Sequence, residues 1–207
     1  MRLPSCLTDP NALLVADASV AINLNATGCA AQILRALPNR IVITGVAADE
    51  VTDDRQNGRR DAELLANLTD EGLVEIVHLS EAAEAVFGQL VIGPAIETLD
   101  DGEAATIAHA SEHGGIAIID ERKANRICAQ RFAELRMAST IDVLANRSVQ
   151  DALGRQELGN AVFNALRQAR MRILPHHGAW VTSLIGPERA SLCGSLPPSF
   201  RLLRASS

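Results

Sequence analysis

The sequence predicts a three-layer α/β/α fold built on a mostly parallel central sheet. Two observations carry that reading. Short apolar runs rich in Val and Ile alternate along the chain with longer helical stretches, the pattern of a parallel sheet covered on both faces. Apolar residues make up 47% of the 207 residues and aromatic residues only 2%. Ala, Leu, Ile and Val must therefore fill the core, which suits Ala-rich helices packed on a sheet better than a sandwich.

Leu13-Leu-Val-Ala-Asp17 is a short apolar run ending in an acid, the signature of a buried strand. A helix is expected over residues 20–37, stopped by Pro38, and a β-branched strand over 40–44. The chain turns helical again at Ala47, crosses a polar segment over 52–61, and forms a helix over 62–68. A strand is expected over 73–79 and a helix over 81–90, broken by Gly93-Pro94. The next helix, 101–112, ends at Gly114-Gly115. Its Ala104, Ile107, Ala108 and Ser111 form the stripe expected to face the sheet, with Thr106, His109 and His113 on the other side. Gly115-Ile-Ala-Ile-Ile-Asp120 is the clearest strand, followed by a helix over 121–135 and an extended piece at Met137. Helices over 140–146 and 157–168 complete one domain spanning 1–185. Residues 186–207, with Gly, Ser and two adjacent prolines, read as a loose tail.

There is no run of about 18 apolar residues, so no membrane-spanning helix is expected. Residues 1–10 lack the basic-then-apolar pattern of a signal peptide. Cys6, Cys29, Cys128 and Cys193 have no zinc-like spacing and read as free thiols of a cytoplasmic protein. The net charge of −6 hides an asymmetry: residues 1–121 carry 6 basic and 20 acidic side chains, residues 122–207 carry 13 and 5. Halves of opposite sign allow an acidic metal pocket beside a basic surface for a polyanion, although charges on solvated helix faces give the same count.

Ligands of open parallel sheets bind outside the carboxyl ends of the strands. Asp17 and Asp120 both sit at such ends, each just before a helix. If their strands are neighbours the two acids converge and repel, and a hard cation such as Mg²⁺ or Mn²⁺ removes that conflict. The plainer alternative is that each caps its helix, since Asp accepts backbone N–H bonds there; Ser19 offers a second cap that would free Asp17. Glu103, in Leu99-Asp-Asp-Gly-Glu103, also mimics a capping box with Asp100. Glu121 reads as an auxiliary ligand or as a partner of the helix dipole. Glu50, by itself, looks like any surface acid.

Taken together these segments resemble a PIN domain, over about residues 13–140. That family opens with a strand ending in Asp and a Ser or Thr two positions on, here Asp17 and Ser19. An acid follows in the helix after the second strand, here Glu50, although the proline usual before that helix is replaced by Gly45-Val46. A Gly-Glu-Ala helix start follows at Gly102-Glu-Ala104, then a strand ending in Asp with a basic helix, Asp120-Glu-Arg-Lys-Ala124. Within the family the chain is similar to a bacterial and archaeal subgroup that shares a stretch like Asn164-Ala-Leu-Arg-Gln-Ala-Arg-Met-Arg-Ile173. The resemblance implies that Asp17, Glu50, Glu103 and Asp120 hold one or two Mg²⁺ or Mn²⁺ ions for endonucleolytic cleavage of RNA. It implies a role as the toxin of a toxin–antitoxin pair, an antitoxin partner and a homodimer. Ser19, Arg122, Lys123 and Arg126 are the expected RNA contacts, with Arg55, Arg59 and Arg60 as further candidates.

Other readings fit less well. A haloacid-dehalogenase-type phosphatase needs Asp-x-Asp after the first strand, where Ser19 stands. A receiver domain needs a lysine after its last strands, and Lys123 is the only lysine. A PIN module that binds RNA or protein without catalysis remains as the alternative function. His176-His177 point apart and have no nearby cysteine, so they read as no zinc site. Trp180 reads as a packing residue.

Overall fold

Five short strands, β1 (Leu14–Ala16), β2 (Ile41–Thr44), β3 (Glu75–Val77), β4 (Ile116–Ile118) and β5 (Arg136–Ala138), pair in parallel in the order β3-β2-β1-β4-β5. The computed structural model describes residues 6–54 and 58–201. Helices α1 (Ala18–Ala26), α2 (Ala30–Ala36), α3 (Gly45–Glu50), α4 (Asp61–Asp70), α5 (Glu81–Val91), α6 (Asp101–Glu112) and α7 (Arg122–Arg131) alternate with the strands. After β5 come α8 (Thr140–Leu144), α9 (Arg147–Gln168), α10 (Gly178–Ile185), α11 (Pro187–Ser191) and α12 (Pro198–Arg201). None of the described helices is long and apolar enough to cross a membrane.

The strands are apolar throughout because both faces are covered. Leu14, Ala16, Ile41, Ile43, Ile116 and Ile118 point into one core with α1, α9 and α10, while Val15, Val42, Ala117 and Ile119 point into a second with α6 and α7. Two apolar layers around one sheet give the three-layer α/β/α architecture that the sequence predicts.

The structure corrects the reading at several points. The helix expected over 20–37 is two helices. Gly28 adopts φ +78°, a left-handed geometry that ends α1, and the Thr27 hydroxyl accepts the Cys29 amide as α2 begins. The helix expected over 121–135 stops at Arg131, and 140–146 stops at Leu144. The helix expected over 157–168 is the second part of α9; a first part, not expected, runs from Arg147, capped by Asn146, to the kink at Gly154, where the backbone leaves helical geometry. On α6, Thr106 and His109 are buried and Ser111 is exposed, because α3 and α5 cover the side turned from the sheet.

The stretch after Ile185, read as a loose tail, holds α11 and α12. Its prolines Pro187 and Pro198 stand at helix starts, where a missing N–H costs nothing. Ala190, Cys193 and Leu196 are buried in the larger core. All four cysteines are free thiols, and Trp180 is buried.

Candidate functional site

β1 lies at the centre of the sheet and β4 beside it, with Ala16 opposite Ile118. The chain leaves β1 towards β2 on one side and reaches β4 on the other, so the order reverses between these two strands. Their carboxyl ends form the switch point where ligands of such sheets bind. Asp17 follows β1 directly, and Asp120 stands two residues past the end of β4. Both are buried, and both line a cavity of about 350 Å³ together with Ser19, Asn23, Glu50 and Glu103. Asp100, Glu121, Arg170 and Arg172 complete its polar wall.

Each acid is held by a different device. Asp17 is the N-cap of α1: its Oδ2 accepts the Ser19 amide at 3.2 Å and the Ser19 hydroxyl at 2.7 Å. The expectation that Ser19 would cap the helix and free Asp17 is therefore corrected, since Asp17 caps while Ser19 fixes its carboxylate.

Asp120 caps nothing on its own helix. Its Oδ1 accepts the Thr140 amide at 2.8 Å, and its Oδ2 accepts the Thr140 hydroxyl at 2.6 Å and the Asn23 side-chain amide at 2.8 Å. Asn23 and Thr140 come from α1 and from the start of α8. No local sequence signal pairs them with Asp120, 97 and 20 residues away.

Glu50, at the end of α3, reaches the first turn of α6. Its Oε1 accepts the Gly102 amide at 2.7 Å. The N-cap residue Asp100 makes no side-chain capping bond. Glu50 thus satisfies a first-turn amide that the Asp100 side chain leaves open. Gly102 is required for that approach, because a Cβ there would stand 2.7 Å from Glu50 Oε2. Glu103 follows it, buried in the first turn.

All four carboxyls are pushed above the usual carboxylate range, first of all by burial. Glu103 reaches about 7, with Asp17 and Asp100 adding repulsion and Lys123 opposing it. Asp120 reaches about 6 despite its three donors. Asp17 and Glu50 are also raised, and Asp100 contributes repulsion to both. In each case repulsion from a neighbouring acid adds to the effect of burial.

The donor set is all oxygen; no His or Cys lines the cavity. It fits Mg²⁺ or Mn²⁺ and disfavours a soft or nitrogen-seeking metal. Among the described residues, the one group of three whose ligand atoms all lie within 4.8 Å of one another is His109, Glu112 and His113, towards the other end of α6. The carboxylates around the cavity form no such tight cage. An ion shared among carboxylates set further apart than that would keep water in its shell.

Of the basic residues expected at the RNA, none that is described lines the cavity itself, although Lys123 offsets the charge on Glu103. Arg122, Lys123 and Arg126 open α7 outside the cavity wall, and Arg126 donates to the Ile96 carbonyl at 3.2 Å. Arg59 pairs with Asp61 at 2.6 Å and Arg60 pairs with Glu63; Arg55 lies outside the described residues. The arginines at the cavity are Arg170 and Arg172, the latter paired with Glu121. The alternation Arg170-Met-Arg-Ile173 could have revealed them, since a period of two marks an extended segment with one buried face. Met171 and Ile173 are indeed buried and the two arginines exposed. His177 is fully buried beside Asp142 at 3.6 Å.

A parallel α/β/α sandwich with carboxylates at its switch point serves several classes of enzyme, and the sequence family narrows it to a nuclease-type fold. The chain belongs to the PIN domain family, whose sequence model matches residues 13–186. No curated protein matches it.

Proposed function

We propose that this protein is a Mg²⁺- or Mn²⁺-dependent endoribonuclease that hydrolyses RNA phosphodiester bonds. One observation carries the reading: acids from four separate segments, Asp17, Glu50, Glu103 and Asp120, line a single cavity at the carboxyl ends of the two central strands. A scaffold gains nothing from gathering repelling carboxylates in one place. Asp17, Glu103, Asp120 and Glu50 would hold the cation, and no protein nucleophile is needed. When bound, the ion supplies an activated water and stabilises charge on the leaving oxygen.

The side chains contribute positioning. Ser19 fixes Asp17, and Asn23 and Thr140 fix Asp120 in one rotamer. Glu50 is anchored by the α6 amide rather than left free in solvent. Such pre-set carboxylates lose little freedom when a metal or phosphate arrives. A role as the toxin of a toxin–antitoxin pair, with a homodimeric state, rests on the family resemblance.

The test is cleavage of a labelled single-stranded RNA by the purified chain with Mn²⁺, with EDTA, and with Asp17→Asn plus Mn²⁺. Cleavage only in the first arm supports the proposal. Salt-sensitive RNA binding with no cleavage in any arm would favour the binding-only alternative. A small protein encoded beside this chain that silences cleavage would support the toxin role.

A further inference from the structure

Beside the acid cavity lies a second, larger one of about 680 Å³. It is lined by Arg167, Arg170, Arg172, Leu192, Gly194 and Ser195. Arg170 and Arg172 line both cavities, so the two adjoin at these residues. The far wall, 192–195, lies beyond the part of the chain that matches the PIN family. We propose that this groove is a phosphate-binding track for the RNA strand running away from the acid centre, with Arg170 as its principal contact. The inference rests on the ribonuclease reading.

The three arginines are not equivalent. Arg167 donates to the Leu192 carbonyl at 2.7 Å and so builds the wall. Arg172 is paired with Glu121. Among the described residues Arg170 forms no hydrogen bond or ion pair, and its side chain is exposed.

The backbone at Arg170 makes the same point. It has φ +52°, the one positive φ of any non-glycine residue described. It stands directly after Ala169, the C-cap of α9, and the Met171 amide closes the turn on the Ala165 carbonyl at 3.1 Å. Helices that end this way usually place glycine there, because a Cβ is disfavoured in left-handed geometry. An arginine in that position works against local folding, and nothing in its packing compensates. What it gains is a guanidinium projecting at the junction of the two cavities. Arginine binds phosphate through a planar fork of donors. The turn then buries Met171 and sets Arg172 on the same exposed side.

The experiment compares the full chain with Arg170→Gly, a residue this backbone prefers, so the variant keeps its fold. Binding of a short single-stranded RNA is read by fluorescence anisotropy in EDTA over 50–300 mM salt, and Mn²⁺-dependent cleavage is read in parallel. Arg170→Gly is expected to melt no lower than the parent, to bind RNA about tenfold more weakly, and to lose about 0.7 from the log–log salt slope, as one lost phosphate contact does on a single strand. Unchanged affinity and slope, in a parent chain that does bind and cut RNA, would overturn the groove and leave the ribonuclease reading intact. A parent that neither binds nor cuts RNA would overturn both.

Discussion

The Glu50 carboxylate stands where a side chain at position 102 would have to go: its Oε1 accepts the Gly102 amide at 2.7 Å, and its Oε2 lies 2.7 Å from the place of the missing Cβ. The glycine that opens the Gly-Glu-Ala helix start is thereby explained by an acid 52 residues earlier. Because Glu50 is exposed, it can swing aside. Gly102→Ala should accordingly cost at most about 1–2 kcal/mol, the scale of a lost helix cap, while weakening Mn²⁺ binding severalfold. Parallel urea melts and Mn²⁺ titrations check this; unchanged Mn²⁺ affinity would remove Glu50 from the centre.

Asp120 depends on donors the sequence did not advertise. Thr140→Val keeps the shape of the side chain but deletes the hydroxyl that Asp120 Oδ2 accepts at 2.6 Å. The expected cost is about 1–3 kcal/mol, from a buried acceptor left short of a partner. The carboxyl, already pushed up to about 6, should rise further, so the pH midpoint of Mn²⁺ binding moves upward. A midpoint equal to that of the parent chain would show that the hydroxyl does not hold the carboxylate.

The pH dependence of the metal-free protein has a definite sign. Glu103 at about 7 and Asp120 at about 6 bind their protons more tightly folded than unfolded. Their stabilisation is complete below about pH 4 and is lost as pH rises through about 6 and about 7. Glu103→Gln should flatten that decline. The difference between its melting-temperature profile and the parent's over pH 4.5–8 isolates the Glu103 contribution from that of every other group. Metal binding runs the other way, since the acids must shed protons first, and Mn²⁺ affinity should climb over this range. Profiles that stay parallel across the window would contradict the pKa assignment.

Truncation after Ile185 should destabilise the chain rather than trim a tail. It removes the buried Ala190, Cys193 and Leu196 and the carbonyl that Arg167 holds. Leu196 alone is worth about 1.5–3 kcal/mol. A truncated chain with the parent's urea midpoint would show that α11 and α12 contribute nothing.

The fold and part of the site were legible in the sequence, for identifiable reasons. The strands could be read because burial on both faces makes them continuous apolar runs, and Asp17 and Asp120 because each ends such a run. Glu50 carried no local signal; it was identified through resemblance, and its position depends on contact with α6. Asn23 and Thr140 shape the site through contacts distant in sequence, which no local pattern records. The tail was misread because proline marks both loops and helix starts. The basic residues expected on α7 do not line the cavity, although Lys123 acts on Glu103, whereas Arg170 and Arg172, which do line it, stood in a stretch noticed only for its resemblance.

The central claim is that the acids form one cation site, and calorimetric titration of Mn²⁺ into the metal-free protein and into Asp17→Asn at neutral pH tests it most directly. Asn caps helices as well as Asp does, so the α1 terminus and the fold should survive the substitution. The account predicts saturable Mn²⁺ uptake by the parent and a loss of at least tenfold in affinity for Asp17→Asn. Equal uptake by both proteins, or none by the parent, would contradict it.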